Sequence, residues 1–249
     1  MYHKISEVGE PDRLDRFYRH LDYLCSTFSI VTPGESLSSN RLNICLTFDD
    51  AYYDFYYYVY PALQQRNIKA VLGIPTAYIQ ESTQATPEAR LRVPYPDGLS
   101  LDAVIQAQTP LCTWPELLEM TKSGYMCPAS HSHTHANLAK LGEATDGTHI
   151  DWDQEIRGSK TILADKLKTA IDIFIYPYGR LNPQAHREVR KQYRYGMRIG
   201  SALNADWAHL QGLLYRVDAD ALWLPQKPIT KTFCLGAYTK YLINRIRGK

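Results

Sequence analysis

Short apolar runs of strand length recur along this chain, each followed by a stretch with helical periodicity, and this alternation narrows the fold more than any other feature. The runs fall at Asn43–Phe48, Lys69–Ile74, Met126–Ser130 and Asp172–Tyr176, with weaker ones near Tyr195–Ile199 and Leu213–Val217. Helical patterns occupy Pro11–Ser26, Tyr53–Gln65, Trp114–Ser123, Trp152–Leu167, Pro183–Gln192 and Leu235–Ile246. Thr113 precedes Trp114-Pro115-Glu116 as an N-cap, with Pro in the first turn. Strand–helix alternation within one domain length predicts an α/β protein with a largely parallel sheet. Periodicity alone fits a barrel-like closure and an open doubly wound sheet equally.

Composition and charge remove several function classes. The 249 residues carry a formal net charge of +2, too mild for a polyanion binder recognised by charge, so no nucleic-acid partner is expected. The five cysteines include no C-x-x-C pair, which argues for reduced buried thiols and against a cysteine zinc site. No run of about 18 apolar residues is present to span a bilayer. The N-terminus has no apolar h-region, so the chain as given reads as cytoplasmic, and as extracytoplasmic only if a leader precedes it. Gly-x-Ser-x-Gly, P-loop, Rossmann and His-Glu-x-x-His patterns do not occur. Gln80–Pro110 is Pro-containing and aperiodic, and reads as a loop insertion at 80–112 over one end of the sheet.

Three segments carry chemistry. Leu46-Thr47-Phe48-Asp49-Asp50 puts adjacent carboxylates where a strand gives way to a helix, the end of an α/β strand at which active sites collect. Two such carboxylates repel unless a cation or proton lies between them, although an Asp there also serves as an ordinary N-cap. Ser130-His131-Ser132-His133-Thr134-His135 holds three His in five residues, a metal-ligand signal. His131 and His135 share a face on a helical turn, whereas His131/His133 and His133/His135 would share one on a strand. Phe174-Ile175-Tyr176-Pro177-Tyr178-Gly179 is an apolar strand ending in a turn that can present backbone N–H groups.

Taken in order, Thr47-Phe48-Asp49-Asp50, His131-x-x-x-His135 and Tyr176-Pro177-Tyr178-Gly179 resemble the polysaccharide deacetylases with the NodB homology domain, carbohydrate esterase family 4. The resemblance extends to Leu63–Ala70, Thr113–Leu117 and Glu155–Lys160, and so covers most of the chain. The opening Tyr2-His3-Lys4-Ile5 is similar to the permuted branch that includes poly-N-acetylglucosamine deacetylases, in which a His near the N-terminus replaces a C-terminal Leu-His. No late Leu-x-Leu-His occurs here, and His209 is the fallback. The family implies a single-domain distorted (β/α) barrel spanning residues 1–249 and hydrolysis of N-acetyl groups from an N-acetylated sugar or polysaccharide, with release of acetate.

The same resemblance implies a divalent metal on Asp50, His131 and His135, with His133 turned away. Ligand type favours zinc, while iron, cobalt and nickel also suit two imidazoles and a carboxylate. Asp49 is then the general base, His3 the general acid, and the Tyr178 backbone N–H an oxyanion donor. Tyr52, Tyr53, Pro177 and Trp207 are candidates for substrate contact, with Trp223 an alternative apolar wall. Two departures stand out. Ala51 replaces a glycine that many relatives have, and Ile175-Tyr176 stands where many carry an Arg that holds the base. His3 also requires Met1–Ile5 to be tied into an edge or barrel strand, because termini fray. The Tyr run from Tyr52 to Tyr60 puts Tyr53, Tyr56, Tyr57 and Tyr60 on one helical face, read as core more than sugar platform. A catalytically silent carbohydrate-binding relative and an amidase on a non-sugar amide are the competing functions.

Overall fold

The computed structural model describes residues 1–93, 109–138, 151–200, 202–220 and 231–246. Residues 94–108 of the insertion, together with Trp223, lie outside the described residues. Six strands form one sheet: β3 (Thr47–Phe48), β4 (Ala70–Ile74), β5 (Met126–Ser130), β6 (Ile173–Ile175), β7 (Tyr195–Ile199) and β8 (Leu213–Arg216). They lie side by side in sequence order, and every neighbouring pair is parallel. A doubly wound sheet reverses its strand order at a switch point. This one never does, so the chain winds in a single sense and the sheet curls into a half-barrel.

The helices follow the expected pattern: α1 (Arg13–Thr27), α2 (Tyr60–Arg66), the short α3 (Pro87–Leu91), α4 (Trp114–Ser123), α5 (Ser159–Leu167), α6 (Pro183–Gln192) and α7 (Lys231–Ile246). The Thr113 backbone N–H donates to Glu116 Oε2 at 2.6 Å, as an N-terminal capping box requires. The periodicity is imperfect at two places. Phe55–Val59 and Asp153–Gly158 are π-helical turns leading into α2 and α5. Pro61 cannot donate a backbone hydrogen bond, and the wider turn upstream absorbs the mismatch.

The run Asn43–Phe48 is not one strand. Asn43–Ile44 (β2) pairs in parallel with Ser29–Ile30 (β1) as a separate two-stranded sheet, and only Thr47–Phe48 joins the main sheet. Cys45 and Leu46 carry the chain between the two partners, a step that an uninterrupted apolar run does not reveal.

Met1 and Tyr2 close the curl. The Met1 nitrogen donates to Val217 O at 2.6 Å, and Met1 O accepts from Ala219 N at 2.9 Å. Tyr2 N donates to Thr47 O at 2.8 Å, and Tyr2 O accepts from Asp49 N at 2.9 Å. Successive residues of an extended segment address opposite neighbours, so these two bridge the ends of β8 and β3. The Tyr2 ring stacks on Phe48 at 5.0 Å, meets Phe17 edge-on at 5.6 Å and hydrogen-bonds His20 through its hydroxyl at 3.1 Å. Toward the strand N-termini the seam widens into a cavity of about 330 Å³ whose walls include Val31, Ile44, Leu46, Met197, Trp207 and Leu214.

Candidate active site

Every strand end that carries a motif opens on the same face. Asp49 and Asp50 follow β3, His131 follows β5, Tyr176–Tyr178 follow β6, Arg216 ends β8, and His3 follows the bridging Tyr2. Their loops are strained. Asp50 (φ 70°), Ala51 (φ 55°), Ser132 (φ 62°), His135 (φ 56°) and Tyr178 (φ 58°) all adopt the left-handed region without being glycine. Each such residue costs on the order of 1–3 kcal/mol, and such strain concentrates at functional sites. The φ of Ala51 is a value that glycine adopts freely.

Asp50, His131 and His135 bring one ligand atom each within 4.8 Å of one another. Both Nε2 atoms lie 3.4 Å from Asp50 Oδ1. His131 Nδ1 donates to Ile175 O at 2.9 Å, which directs Nε2 at the carboxylate. Asp50 Oδ1 is buried and has no hydrogen-bond partner. An orphaned carboxylate oxygen between two imidazole lone pairs is the donor set a divalent cation fits, with positions left open for further oxygens. Burial, followed by the charge of neighbouring His131, pushes the His135 imidazole down to about 4, so its nitrogen is free to ligate near neutrality.

The His loop does not converge by making a helical turn. Residues 131–137 are irregular, and the left-handed Ser132 and His135 fold the chain back so that the two rings meet edge-on at 4.7 Å. His133 points elsewhere, its Nδ1 2.8 Å from Thr76 Oγ1. Buried Glu155 pins the loop: its carboxylate accepts from the backbone N–H groups of His133 and Thr134, both at 2.9 Å, and from the Thr134 hydroxyl at 2.7 Å.

Asp49 sits between two imidazoles, 4.0 Å from His3 Nε2 and 4.0 Å from His131 Nε2. Its orienting cation is Arg216, whose Nη1 and Nη2 donate to Oδ1 at 2.6 Å and Oδ2 at 2.9 Å. Burial alone would raise this carboxyl, but the Arg216 charge and His131 outweigh it and hold the group well below the usual carboxylate range. The fork fixes the carboxylate plane, as bidentate Arg pairs do. Arg216 therefore fills the role for which Ile175 and Tyr176 offered no candidate.

His3 is firmly held. Its Nδ1 lies 2.5 Å from Asp220 Oδ2, and its backbone N–H donates to Asp220 Oδ1 at 3.2 Å. Asp54 accepts from Ile5 N and Ser6 N at 2.7 and 2.9 Å, anchoring the following residues. Burial works to lower the His3 imidazole, but the Asp220 hydrogen bond and the charges of Asp49 and Asp50 carry it up to about 9. His209 is buried against Tyr215 at a ring separation of 5.6 Å and precedes β8, at the opposite end of the sheet. It is not the acid.

The candidate substrate contacts divide. Tyr178 is 58% exposed with its ring edge-on to His135 at 4.8 Å, and Pro177 is buried beside it at the start of the Pro177–Gly179 turn. Tyr52 is buried and bridges Leu111. Tyr53 is also buried; the Arg90 guanidinium covers its ring at 3.5 Å, and that Arg pairs with Glu116 at 2.7 Å. Tyr53, Tyr56, Tyr57 and Tyr60 touch along one face at 5.9–6.0 Å between ring centroids, but only Tyr53 and Tyr60 are buried; Tyr56 is half-buried and Tyr57 is exposed. Trp207 is a correction. Its indole donates to Glu35 O at 2.7 Å and packs on Tyr195, the first residue of β7, at the strand end opposite the carboxylates. The local sequence Asn204-Ala205-Asp206-Trp207-Ala208-His209 has no periodicity that shows which end it faces.

The family profile described as polysaccharide deacetylase matches residues 38–197, well over half of the chain. The chain belongs to the polysaccharide deacetylase family. No curated protein matches it. Among solved structures, the deacetylase PplD of Streptococcus pyogenes in complex with acetate is 20% identical, covers 87% of this chain and 89% of its own, and superposes with a TM-score of 0.64. IcaB from Ammonifex degensii is 18% identical over 89% of this chain and 92% of its own, with a TM-score of 0.63. BA0330 of Bacillus anthracis is 18% identical and covers 81% of this chain, which spans only 57% of that one, with a TM-score of 0.60. These likenesses establish the fold, the NodB-type half-barrel seen here.

Within this deacetylase fold, three residues escaped the sequence reading: Arg216, Asp220 and Glu155. Arg216-Val217-Asp218-Ala219-Asp220 does carry a signal, because a charged cluster at the C-terminal end of a strand lies where an α/β site forms.

Proposed function

We propose that this protein is a metal-dependent N-deacetylase acting on an N-acetylated glycan. The observation that carries the reading is the pairing around the two adjacent carboxylates: Asp50 faces two bare imidazole nitrogens, while Asp49 is locked by Arg216 between His3 and His131. A divalent ion held by Asp50, His131 and His135 would polarise an amide carbonyl and acidify water, and zinc suits these ligands best.

The chain's own groups supply the proton transfers. Asp49, ionised and fixed in plane, accepts the proton of the attacking water. His3, kept protonated by Asp220, lies on the other side of Asp49 and delivers a proton to the leaving sugar nitrogen. Water oxygen bonds to the carbonyl carbon, which becomes tetrahedral; as that species collapses and the C=O re-forms, the C–N bond breaks, the nitrogen takes the His3 proton, and acetate and a free amine result. The turn at Tyr178 presents its backbone N–H as the oxyanion donor, with the exposed phenol over His135 forming one wall of the acetyl site.

The test is acetate release from N-acetylated oligosaccharides, with and without a chelator. Chelator-sensitive release that vanishes in Asp49→Asn is expected. Release that survives both treatments would overturn the reading, as would metal binding with no release from any acetylated glycan.

A further inference from the structure

The surface of this protein is uneven. Ten large apolar side chains are exposed among the described residues, and five of them, Leu235, Tyr238, Leu242, Ile243 and Ile246, lie on the single helix α7. Leu235, Tyr238, Leu242 and Ile246 follow one another at steps of three, four and four residues, so they form one stripe along a helix about 24 Å long. Ile246 is 85% and Leu235 66% exposed. The opposite side of the helix faces the body, since Ala237 is buried and its carbonyl accepts from Leu203 N at 3.5 Å. A soluble surface rarely concentrates so much apolar area without a partner.

Charge indicates which partner. From Lys231 to the last residue, Lys249, the sequence has five Lys or Arg and no Asp or Glu, against 28 and 26 in the whole chain. The rest of the protein is therefore net negative. Lys240 is exposed on α7 itself. A second copy docking through the same helix would bring a like-charged segment to the stripe, whereas a bilayer rich in anionic lipid offers acyl chains for the apolar row and headgroup phosphates for the cations. Among the described residues no helix is long and apolar enough to cross a membrane. What α7 offers a membrane surface is its exposed apolar row together with the cations of the same segment.

From this stripe and its charge we infer that α7 docks the protein onto anionic membrane surfaces. Its apolar row would enter the headgroup–acyl boundary while the enzyme body stays in water. The test is co-sedimentation of the full chain with vesicles of phosphatidylglycerol and phosphatidylcholine in equal parts, alongside vesicles of phosphatidylcholine alone. The expected result is binding to the mixed vesicles that weakens roughly tenfold or more with phosphatidylcholine alone and in 0.5 M salt.

The variant Leu235→Ser/Leu242→Ser/Ile246→Ser should lose vesicle binding by at least about tenfold while keeping the wild-type melting temperature. Wild-type protein that fails to bind mixed vesicles overturns the inference. Binding unchanged in the triple variant also overturns it, as does a concentration-dependent dimer that the triple variant abolishes without any vesicle binding in the wild type.

Discussion

The His3–Asp220 pair yields the sharpest test of how this site manages protons. Asp220→Asn keeps an oxygen that can accept from His3 Nδ1, so the ring stays in place, but it removes the negative charge. The pair holds the imidazole up at about 9, against an ordinary value of 6.5. Without the carboxylate, burial pulls the group back toward that ordinary value. A full return to that value would take the protonated fraction at pH 8 from about nine-tenths to about one-thirtieth, so roughly 30-fold is the upper limit of the loss in a rate that needs His3 as an acid, the charges of Asp49 and Asp50 retaining part of it. At pH 6 both forms are mostly protonated, and the loss is less than about twofold. Initial rates of acetate release across pH 5.5–9.5 should therefore show the alkaline limb of kcat/KM moving down while the acid side stays put. An equal loss at pH 6 and pH 8 would mean that Asp220 only positions the ring. No loss at any pH would remove His3 from the reaction. Stability follows the same linkage. Because the folded-state value is raised, the pair contributes fully below pH 6.5 and its contribution disappears as pH rises through about 9. The melting-temperature gap between wild type and Asp220→Asn should accordingly be widest near pH 6 and close by pH 10.

Three further expectations rest on separate contacts. His131→Ala and His135→Ala should each abolish metal binding measured by calorimetry, while His133→Ala, which loses only the Thr76 contact, should retain it; equal loss in all three would refute the ligand assignment. Arg216→Met leaves the buried Asp49 charge alone and should cost about 3–5 kcal/mol of stability in denaturant titrations. Adding Asp49→Asn should restore most of that stability but not acetate release, and a double variant as unstable as the single one would show that the ion pair is not the source of the loss. Glu155→Ala removes the acceptor for two backbone N–H groups of the His loop and should weaken metal binding by about 10–100-fold, with a smaller effect on the melting temperature.

The legible part of this molecule is its local part. Strands β4, β5, β7 and β8 and helices α4 and α6 follow from runs and caps that lie within a dozen residues of each other. Asp50, His131 and His135 were visible for the same reason, since each belongs to a short segment whose composition is unusual. Periodicity could not choose between a barrel and a doubly wound sheet, because that choice depends on strand order, and strand order is written in crossovers and not in side-chain alternation. It also hid the break at Cys45 and Leu46, where the partner strand changes without any change in the apolar pattern.

Arg216 and Asp220 were illegible for a more specific reason, and it bears on how the site is assembled. They meet Asp49 and His3 across sequence separations of 167 and 217 residues. Those separations are large because the seam of the barrel joins the first residues of the chain to its last strand. Asp50, His131 and His135 come from loops after β3 and β5, within the continuous part of the sheet. Asp49, His3, Arg216 and Asp220 come from both sides of the seam, where Met1 and Tyr2 fill the gap between β3 and β8. The backbone bonds that seat Tyr2 between β3 and β8 also place the adjacent His3 against Asp220 and Asp49, so the seam of the sheet and the contacts of His3 depend on the same few residues.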